Sequence, residues 1–512
     1  MIQHVRVLIV GSGFSGIGLG RALLASRFSD FLLFERAPEP GGVWQSNTYP
    51  GCRCDIPSHL YSFSFAPNPD WTSTYSPQPE IRDYLGRCLD RFRLRPHLRT
   101  GVEVQEARWD EQDQLWHVET SDGPWTAQVL VSAVGPLTEP KLPDVPGIDR
   151  FRGTIMHSAR WDHAHELAGE RVASIGTGAS AVQYVPEIAD RVGRLYVFQR
   201  TAPWITPHDK RAITEAERER FRARPGRQRA ERAKAYAAKE LLVLGLAKRP
   251  RLMRLIEGLA RRHLAQQVAD PALRRALTPD FTLGCKRIVP SNTWYPALQK
   301  ENVELVPRAL REVREHSVID ADGVEREVDT IIFGTGFHVT DIPFAEQVRG
   351  RHGELLSAVW AGSPRAYLGV SVPGFPNFFM FLGPNSGLGH SSMVYMIEAQ
   401  AEHVKNAVRA LDLSGATSIE VDRRTHDAYN ADLDRKLAKS VWELGGCRSF
   451  YRDANGRNAT IYPDWTFRYR RQAVRWKPGA YHLATGPVAG SPTGSPAPAP
   501  RPAASAESKD PS

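Results

Sequence analysis

The sequence predicts an α/β protein: two parallel-sheet domains of one kind, with a helical insert in the second. Two glycine-rich turns, each set between a buried strand and a helix, predict the sheets. A stretch rich in Arg, Ala and Leu predicts the insert.

The first turn follows the apolar run Val5–Val10, and a helical pattern from about Ser15 to Leu24 and a second strand at Phe31–Phe34 come after it. It reads Gly11-Ser12-Gly13-Phe14-Ser15-Gly16. Gly11 permits the tight turn, Gly13 lets backbone approach a pyrophosphate, and Gly16 lets the helix pack on the sheet. The helix N-terminus then offers free N–H groups to phosphate. Glu35, 22 residues past Gly13, ends the second strand. An acid there can accept hydrogen bonds from ribose hydroxyls, and Arg36 follows it beside the same nucleotide. This is a dinucleotide-binding, Rossmann-like unit, and its expected ligand is FAD.

The second turn repeats the pattern. Val172–Ile175 is a strand, Gly176-Thr177-Gly178-Ala179-Ser180-Ala181 the turn, Ala181–Ile188 a helix and Leu195–Phe198 the next strand. This strand ends in Gln199-Arg200-Thr201 rather than in an acid. An arginine there can stack on adenine and pair with a 2′-phosphate that an acid would repel, which points to NADPH.

Between the two units, Val102–Ala107 and Leu115–Glu119 read as a hairpin leading to a strand at Val129–Val134. Within the insert, Leu252, Leu255, Ile256 and Leu259 fall on one helical face. A strand at Thr330–Phe333 leads into Gly334-Thr335-Gly336. The expected division is an FAD domain at 1–145 and 329–486, an NADP domain at 146–209 and 281–328, a basic helical insert at 210–280 and a disordered Pro/Ala/Ser-rich tail at 487–512.

Composition narrows the class. The 512 residues are 41% hydrophobic and 24% charged, as in ordinary globular proteins. The insert holds 19 Lys+Arg against 8 Asp+Glu, so it carries more than the whole net charge of +9. A solvated helical face explains that excess, and contact with a membrane surface stays open. Nucleic-acid binding is not expected, because no basic stripe interleaves with aromatics. No apolar run reaches the roughly 18 residues of a spanning helix. Five scattered cysteines do not make a disulfide framework, so a reducing, cytoplasmic setting is expected. Cys52 and Cys54 are the one close pair; their spacing is awkward for a bridge, and no second pair completes a metal site.

Two nucleotide folds of this kind describe a flavoprotein that takes hydride from NADPH. The electrons could pass to a disulfide, a diffusible acceptor or oxygen. Further motifs bear on that choice. Phe151-Arg-Gly153-Thr-Ile-Met-His157-Ser-Ala-Arg-Trp161-Asp162 stands just before the second fold. Gly41-Gly42-Val43-Trp44 is followed at fixed spacing by Tyr49-Pro50-Gly51 and Asp55. Both resemble signatures of the type I Baeyer–Villiger monooxygenases, over residues 5–480. Phe333–Phe337 and Gly383-Pro384-Asn385 resemble motifs of the wider flavin monooxygenase group. Trp442 and Gly445-Gly446-Cys447 are similar to the hydroxyacetophenone-type branch.

The resemblance implies roles. Asp55 is at the position of an active-site aspartate that holds an arginine, and Arg287, after Lys286, is at the position of that arginine. Lys286 becomes a second partner for the 2′-phosphate. Gly42, Val43, Trp44, Tyr61 and Val104 match positions around the flavin. His157 acts in domain linkage and cofactor movement, with Phe151, Gly153, Trp161 and Asp162 completing the fingerprint. His390 borders the flavin or is structural. The implied reaction passes through a flavin C4a-peroxide and inserts one atom of O2 beside a ketone carbonyl, giving an ester or lactone. An arginine suits it because it cannot give its proton to the peroxide. The apolar insert points to a hydrophobic ketone. The alternatives are an N- or S-oxidising flavin monooxygenase and a non-catalytic FAD/NADP-binding redox module; no metal is expected.

Overall fold

The computed structural model describes residues 2–486, so the tail expected at 487–512 lies outside the described residues. Two sheets carry the architecture; the first is parallel except where Leu115–Thr120 runs antiparallel to both of its neighbours. In the first, the strand order is Val348–Arg349, Val104–Asp110, Leu115–Thr120, Gly123–Ser132, Gln3–Val10, Phe31–Glu35 and Leu98–Thr100, with Phe378–Met380 also paired to Gly123–Ser132. Val7, Leu8 and Ile9 are wholly buried because helices and loops cover both faces of this strand. The helix Phe14–Ala25 packs closely on the helix Met393–Ser414: a Cβ on Gly18 would stand 3.3 Å from the side chains of Ile397 and Phe63.

The second sheet is entirely parallel, in the order Val303–Val306, Arg194–Phe198, Arg171–Ile175, Thr330–Phe333 and Thr154–His157. This corrects two expectations. Thr330–Phe333 is an inner strand of the second sheet, not the start of the return to the first, so the boundary falls after Phe333 rather than at 329. Its four residues are all buried because strands flank it on both sides. The strand expected at Val129–Val134 begins at Gly123 and ends at Ser132, since it also forms the hairpin with Leu115–Thr120.

The insert contains helices Glu215–Ala223, Pro225–Glu240, Met253–Gln267 and Pro271–Ala276. Thr214 and Glu217 form a capping box at the first, and Asp270 caps the last by accepting from the N–H groups of Ala272 and Leu273. Helix Pro225–Glu240 is pinned by residues four apart. Gln228 donates to the Asn68 carbonyl, and Arg232 Nη1 donates to the carbonyls of His59 at 2.9 Å and Ser62 at 2.8 Å. Tyr236 bonds Thr466 Oγ1 at 2.9 Å, and Glu240 accepts from Thr466 N at 2.6 Å and Oγ1 at 2.8 Å. The insert is thereby fastened to the first domain.

The helix expected around Leu252–Leu259 forms, but its leucines do not pack inward. Leu255 is 77% exposed and Leu259 52%, while Met253, Ala260, His263 and Leu264 are buried instead. The cysteine expectation is also corrected: Cys285 and Cys447 form a disulfide across 162 residues, and Cys52, Cys54 and Cys88 are buried free thiols. Distant segments meet there through tertiary packing, which spacing along the chain does not reveal. No helix among the described residues is long and apolar enough to cross a membrane.

Candidate active site

The first glycine turn is built as a phosphate cradle. Gly11 has φ +111°, and a Cβ on it would lie 2.6 Å from the Ala133 carbonyl oxygen; a Cβ on Gly16 would lie 2.0 Å from the Gly11 carbonyl oxygen. Gly13 meets no such wall, since the nearest atom to its Cβ would be Gly42 Cα at 3.6 Å. Packing does not require a glycine there, and the open backbone fits the close approach of a dinucleotide pyrophosphate. Glu35 is buried, and it accepts from Ser12 N at 3.1 Å, Ser12 Oγ at 2.7 Å and Ala37 N at 3.0 Å. Its carboxylate therefore braces the turn and keeps lone pairs for a ribose. Arg36 pairs with Glu139 at the rim.

Aromatic residues floor the region next to this cradle. Phe14 meets the Tyr61 ring edge-on at 5.2 Å, and Trp44 Nε1 donates to the Tyr61 hydroxyl at 3.1 Å. Ser15 is buried in the helix N-terminus. Gly42, with φ +56°, and Val43 open the short helix Val43–Ser46 that carries Trp44. Val104 is buried at the start of its strand, in the apolar cluster that holds Phe34.

The second turn repeats the geometry. Gly176 has φ +108°, with the Gly334 carbonyl oxygen 2.6 Å from where its Cβ would be; the same oxygen is the nearest atom to a Cβ on Gly178, at 4.0 Å. Gly178 and Ala179 are exposed at the helix N-terminus, Ser180 is half-buried and Ala181 is buried. Thr177 Oγ1 donates to the Thr201 carbonyl at 3.1 Å, fixing the strand end that carries Arg200. Lys286 lies over the Phe281 ring at 4.8 Å. Its pKa is lowered, first by burial and then by the positive charge of Arg200. Two mutually repelling cations, with no carboxylate bridge among the described residues, fit a phosphate ligand.

Asp55 and Arg287 meet between the two cradles. Arg287 Nε donates to Asp55 Oδ2 at 2.8 Å, and Nη2 lies 2.6 Å from both carboxylate oxygens. Nη1 donates to the Leu388 carbonyl at 3.2 Å. Burial pulls the guanidinium pKa down, but the Asp55 charge outweighs it and holds the pKa above the ordinary value. The second Nη1 hydrogen has no protein acceptor among the described residues, so the group offers a fixed, permanently charged donor. Burial raises the neighbouring Cys52 thiol to about 11 and Cys54 well above its ordinary value, which disfavours the reactive thiolate of either.

The fingerprint lies where the chain passes between domains. His157 ends its strand opposite Phe333, and its Nδ1 accepts from Ala159 N at 3.1 Å. Its Nε2 is buried without a hydrogen-bond partner among the described residues, and the Phe337 ring stands edge-on at 5.7 Å. Burial lowers its pKa to about 4. Gly153 fits under the Asp329 carbonyl, 2.1 Å from a hypothetical Cβ, and the Phe151 ring closes the other side at 2.7 Å. Trp161 leans on Tyr184 at 5.5 Å, while Asp162 stays exposed and accepts from Ala164 N.

Comparison with known proteins agrees with this geometry. A family model described as pyridine nucleotide-disulphide oxidoreductase matches residues 8–241. A Streptomyces coelicolor protein named Baeyer-Villiger monooxygenase is 48% identical over 474 residues, 92% of this chain and 91% of the relative. The chain belongs to the Baeyer–Villiger monooxygenase family. A Pseudomonas aeruginosa protein of the same name is 45% identical over 95% of this chain and 93% of its own length. Cyclohexanone monooxygenase from Rhodococcus sp. Phi1, solved with NADP+ bound, matches with a TM-score of 0.84 at 29% identity, over 95% of this chain and 100% of that chain.

Three residues of this family member carry no motif that a sequence reading could use. Gln183, on the second fold's first helix, bonds Tyr49 and the backbone of Arg53. Lys239, on the insert helix, lacks a carboxylate bridge among the described residues; burial lowers its pKa, and the nearby Asp55 charge opposes that shift. Glu240 Oε2 stands 3.5 Å from Nε2 of the buried His390, whose ring has no hydrogen-bond partner among the described residues, so the insert lies against the loop whose Leu388 holds Arg287. Only the helical spacing of Gln228, Arg232, Tyr236 and Glu240 could have flagged that face.

Proposed function

We propose that this enzyme inserts one atom of O2 beside the carbonyl of a hydrophobic ketone, at the expense of NADPH, giving an ester or lactone. The observation that carries the reading is the Asp55–Arg287 fork between two nucleotide cradles, with one guanidinium hydrogen unspent. FAD and NADPH are its cofactors, and bound FAD supplies hydride acceptance and activation of O2. Gly11, Gly13 and Gly16 hold the flavin nucleotide, with Glu35 on its ribose. Gly176, Gly178, Arg200 and Lys286 hold the nicotinamide nucleotide by its phosphates.

Arg287 Nη1 would donate to the oxygen that gains negative charge as the carbonyl is attacked. A preorganised donor of this kind contributes about 3–4 kcal/mol to the transition state. Asp55 fixes the plane of the guanidinium and offsets its charge. The insert helix, pinned by Arg232 and Glu240, would exclude water from this space. Exposed Leu252, Leu255 and Leu259 beside Arg251, Arg254 and Arg262 support peripheral contact with an anionic, apolar surface.

The test is incubation of the yellow holoenzyme with NADPH, O2 and a panel of aliphatic, aryl and polycyclic ketones, with products identified by mass. Products one oxygen atom heavier, hydrolysing to an alcohol and an acid, support the reading. Sulfoxides from added sulfides with no ester from any ketone would favour the heteroatom oxygenase.

A further inference from the structure

The disulfide joins two chain segments that both deliver groups to Arg287. Cys285 is fully buried and stands immediately before Lys286-Arg287. Cys447 is only partly buried, in the loop after the short helix Val441–Leu444. Four residues later in that loop comes Tyr451, which is buried and lies close enough to Arg287 for the guanidinium charge to act on its phenol. The same loop holds the segment by its backbone: Thr282 N donates to the Gly445 carbonyl at 2.9 Å. Gly445 itself presses on the disulfide, since a Cβ there would stand 2.7 Å from Cys285 Cβ. Beneath them, the Trp442 ring lies 3.0 Å from where Gly389 would carry a Cβ, one residue past the carbonyl that accepts from Arg287 Nη1.

Arg287 is therefore held from three sides: by the Asp55 carboxylate, by the Leu388 carbonyl, and along its own chain by the covalent link to Cys447. Only the last can be made or broken by redox chemistry. We propose that the Cys285–Cys447 pair is a redox modification site that sets how firmly Arg287 is positioned for oxygen insertion, with a dithiol as the reductant. This inference rests on the catalytic placement of Arg287 given above.

The step balances as thiol–disulfide exchange. A dithiol thiolate attacks Sγ of Cys447, the less buried of the pair, the S–S bond breaks, and the Cys285 sulfur leaves and takes up a proton. The second dithiol sulfur then displaces Cys447 and closes its own disulfide. Two electrons and two protons pass to the protein pair. In the linked state the 282–287 and 445–451 segments move as one body. In the dithiol state only the Thr282–Gly445 hydrogen bond and apolar packing join them, so Arg287 loses part of its preorganisation and activated oxygen escapes as H2O2.

The test uses the holoenzyme before and after treatment with dithiothreitol, followed by removal of the reagent. Peptide mapping without reduction reports the link, and alkylation reports the thiols. Hydrogen exchange reports 282–290 and 445–452, and the rate of H2O2 release under NADPH and O2 reports the escape of activated oxygen without any need for a ketone. The expected result is a linked peptide that becomes two alkylated ones, faster exchange in both segments and a several-fold faster release of H2O2, all reversed on reoxidation. Cys447→Ser should start in the high-H2O2 state and ignore dithiothreitol. Equal exchange and equal H2O2 in the linked and reduced wild type would overturn the proposal, as would a Cys447→Ser enzyme that still responds to the dithiol. Failure to oxygenate any ketone would strike the proposed function and leave these readouts intact.

Discussion

Tyr49 donates its hydroxyl hydrogen to Gln183 Oε1 at 3.0 Å, and this bond crosses from the flavin fold to the nicotinamide fold. The same amide oxygen accepts from Arg53 N at 3.2 Å, and the amide nitrogen donates to the Arg53 carbonyl at 3.1 Å. One glutamine thus registers the second fold against the loop that carries Asp55. At about 1 kcal/mol per hydrogen bond, Gln183→Leu should cost about 2–3 kcal/mol of stability. It should also raise H2O2 release, because Asp55 and the nicotinamide site lose their common reference. Urea unfolding and an H2O2 assay check both. A variant with wild-type coupling would show that the bridge only stabilises.

Arg287→Ala should separate the two halves of the cycle. Anaerobic bleaching of the flavin by NADPH should persist, while ester formation falls by about two to three decades, the worth of one preorganised donor. Arg287→Lys should recover little of it, because an ammonium cannot reproduce the two-pronged contact with Asp55. Stopped-flow reduction and product analysis make the comparison.

Arg200→Ala and Lys286→Ala should each raise KM for NADPH by about 10- to 100-fold, as expected when a charge-assisted hydrogen bond worth about 1.5–3 kcal/mol is lost. Their effect on KM for NADH should be small, since NADH brings no 2′-phosphate. Equal losses with both cofactors would place the two cations elsewhere on the nucleotide.

Acid should destabilise the fold through buried neutral histidines. Burial lowers His157 from 6.5 to about 4, and His208 and His403 move likewise to about 4. Above pH 6.5 both folded and unfolded states carry these rings neutral, and stability is unaffected. Between about pH 6.5 and 4 the unfolded chain binds the proton and the folded one does not, so stability falls as pH falls. One such histidine contributes a slope approaching about 1.4 kcal/mol per pH unit. Urea titrations at several pH values should show His157→Gln with a slope smaller by about one proton. An unchanged slope would mean that His157 charges in the folded state.

Local chemistry made much of this protein legible from its residue order. A glycine turn between an apolar strand and a helix is a local pattern, so both turns and the strand ends that carry Glu35 and Arg200 can be read from residue order alone. The motif resemblance supplied Asp55, Lys286-Arg287 and the His157 segment. Contacts over long chain separations are not written in local pattern: the Asp55–Arg287 pair, 232 residues apart, came only through the resemblance, and the disulfide across 162 residues came from neither source. An apolar helical face states that something can cover it, not that anything does, and so Leu255 and Leu259 point outward. An apolar strand does not name its neighbour, and so Thr330–Phe333 sits inside the second sheet. Burial of whole surfaces, summed over the folded chain, chose those partners, and no short window of residues contains that sum.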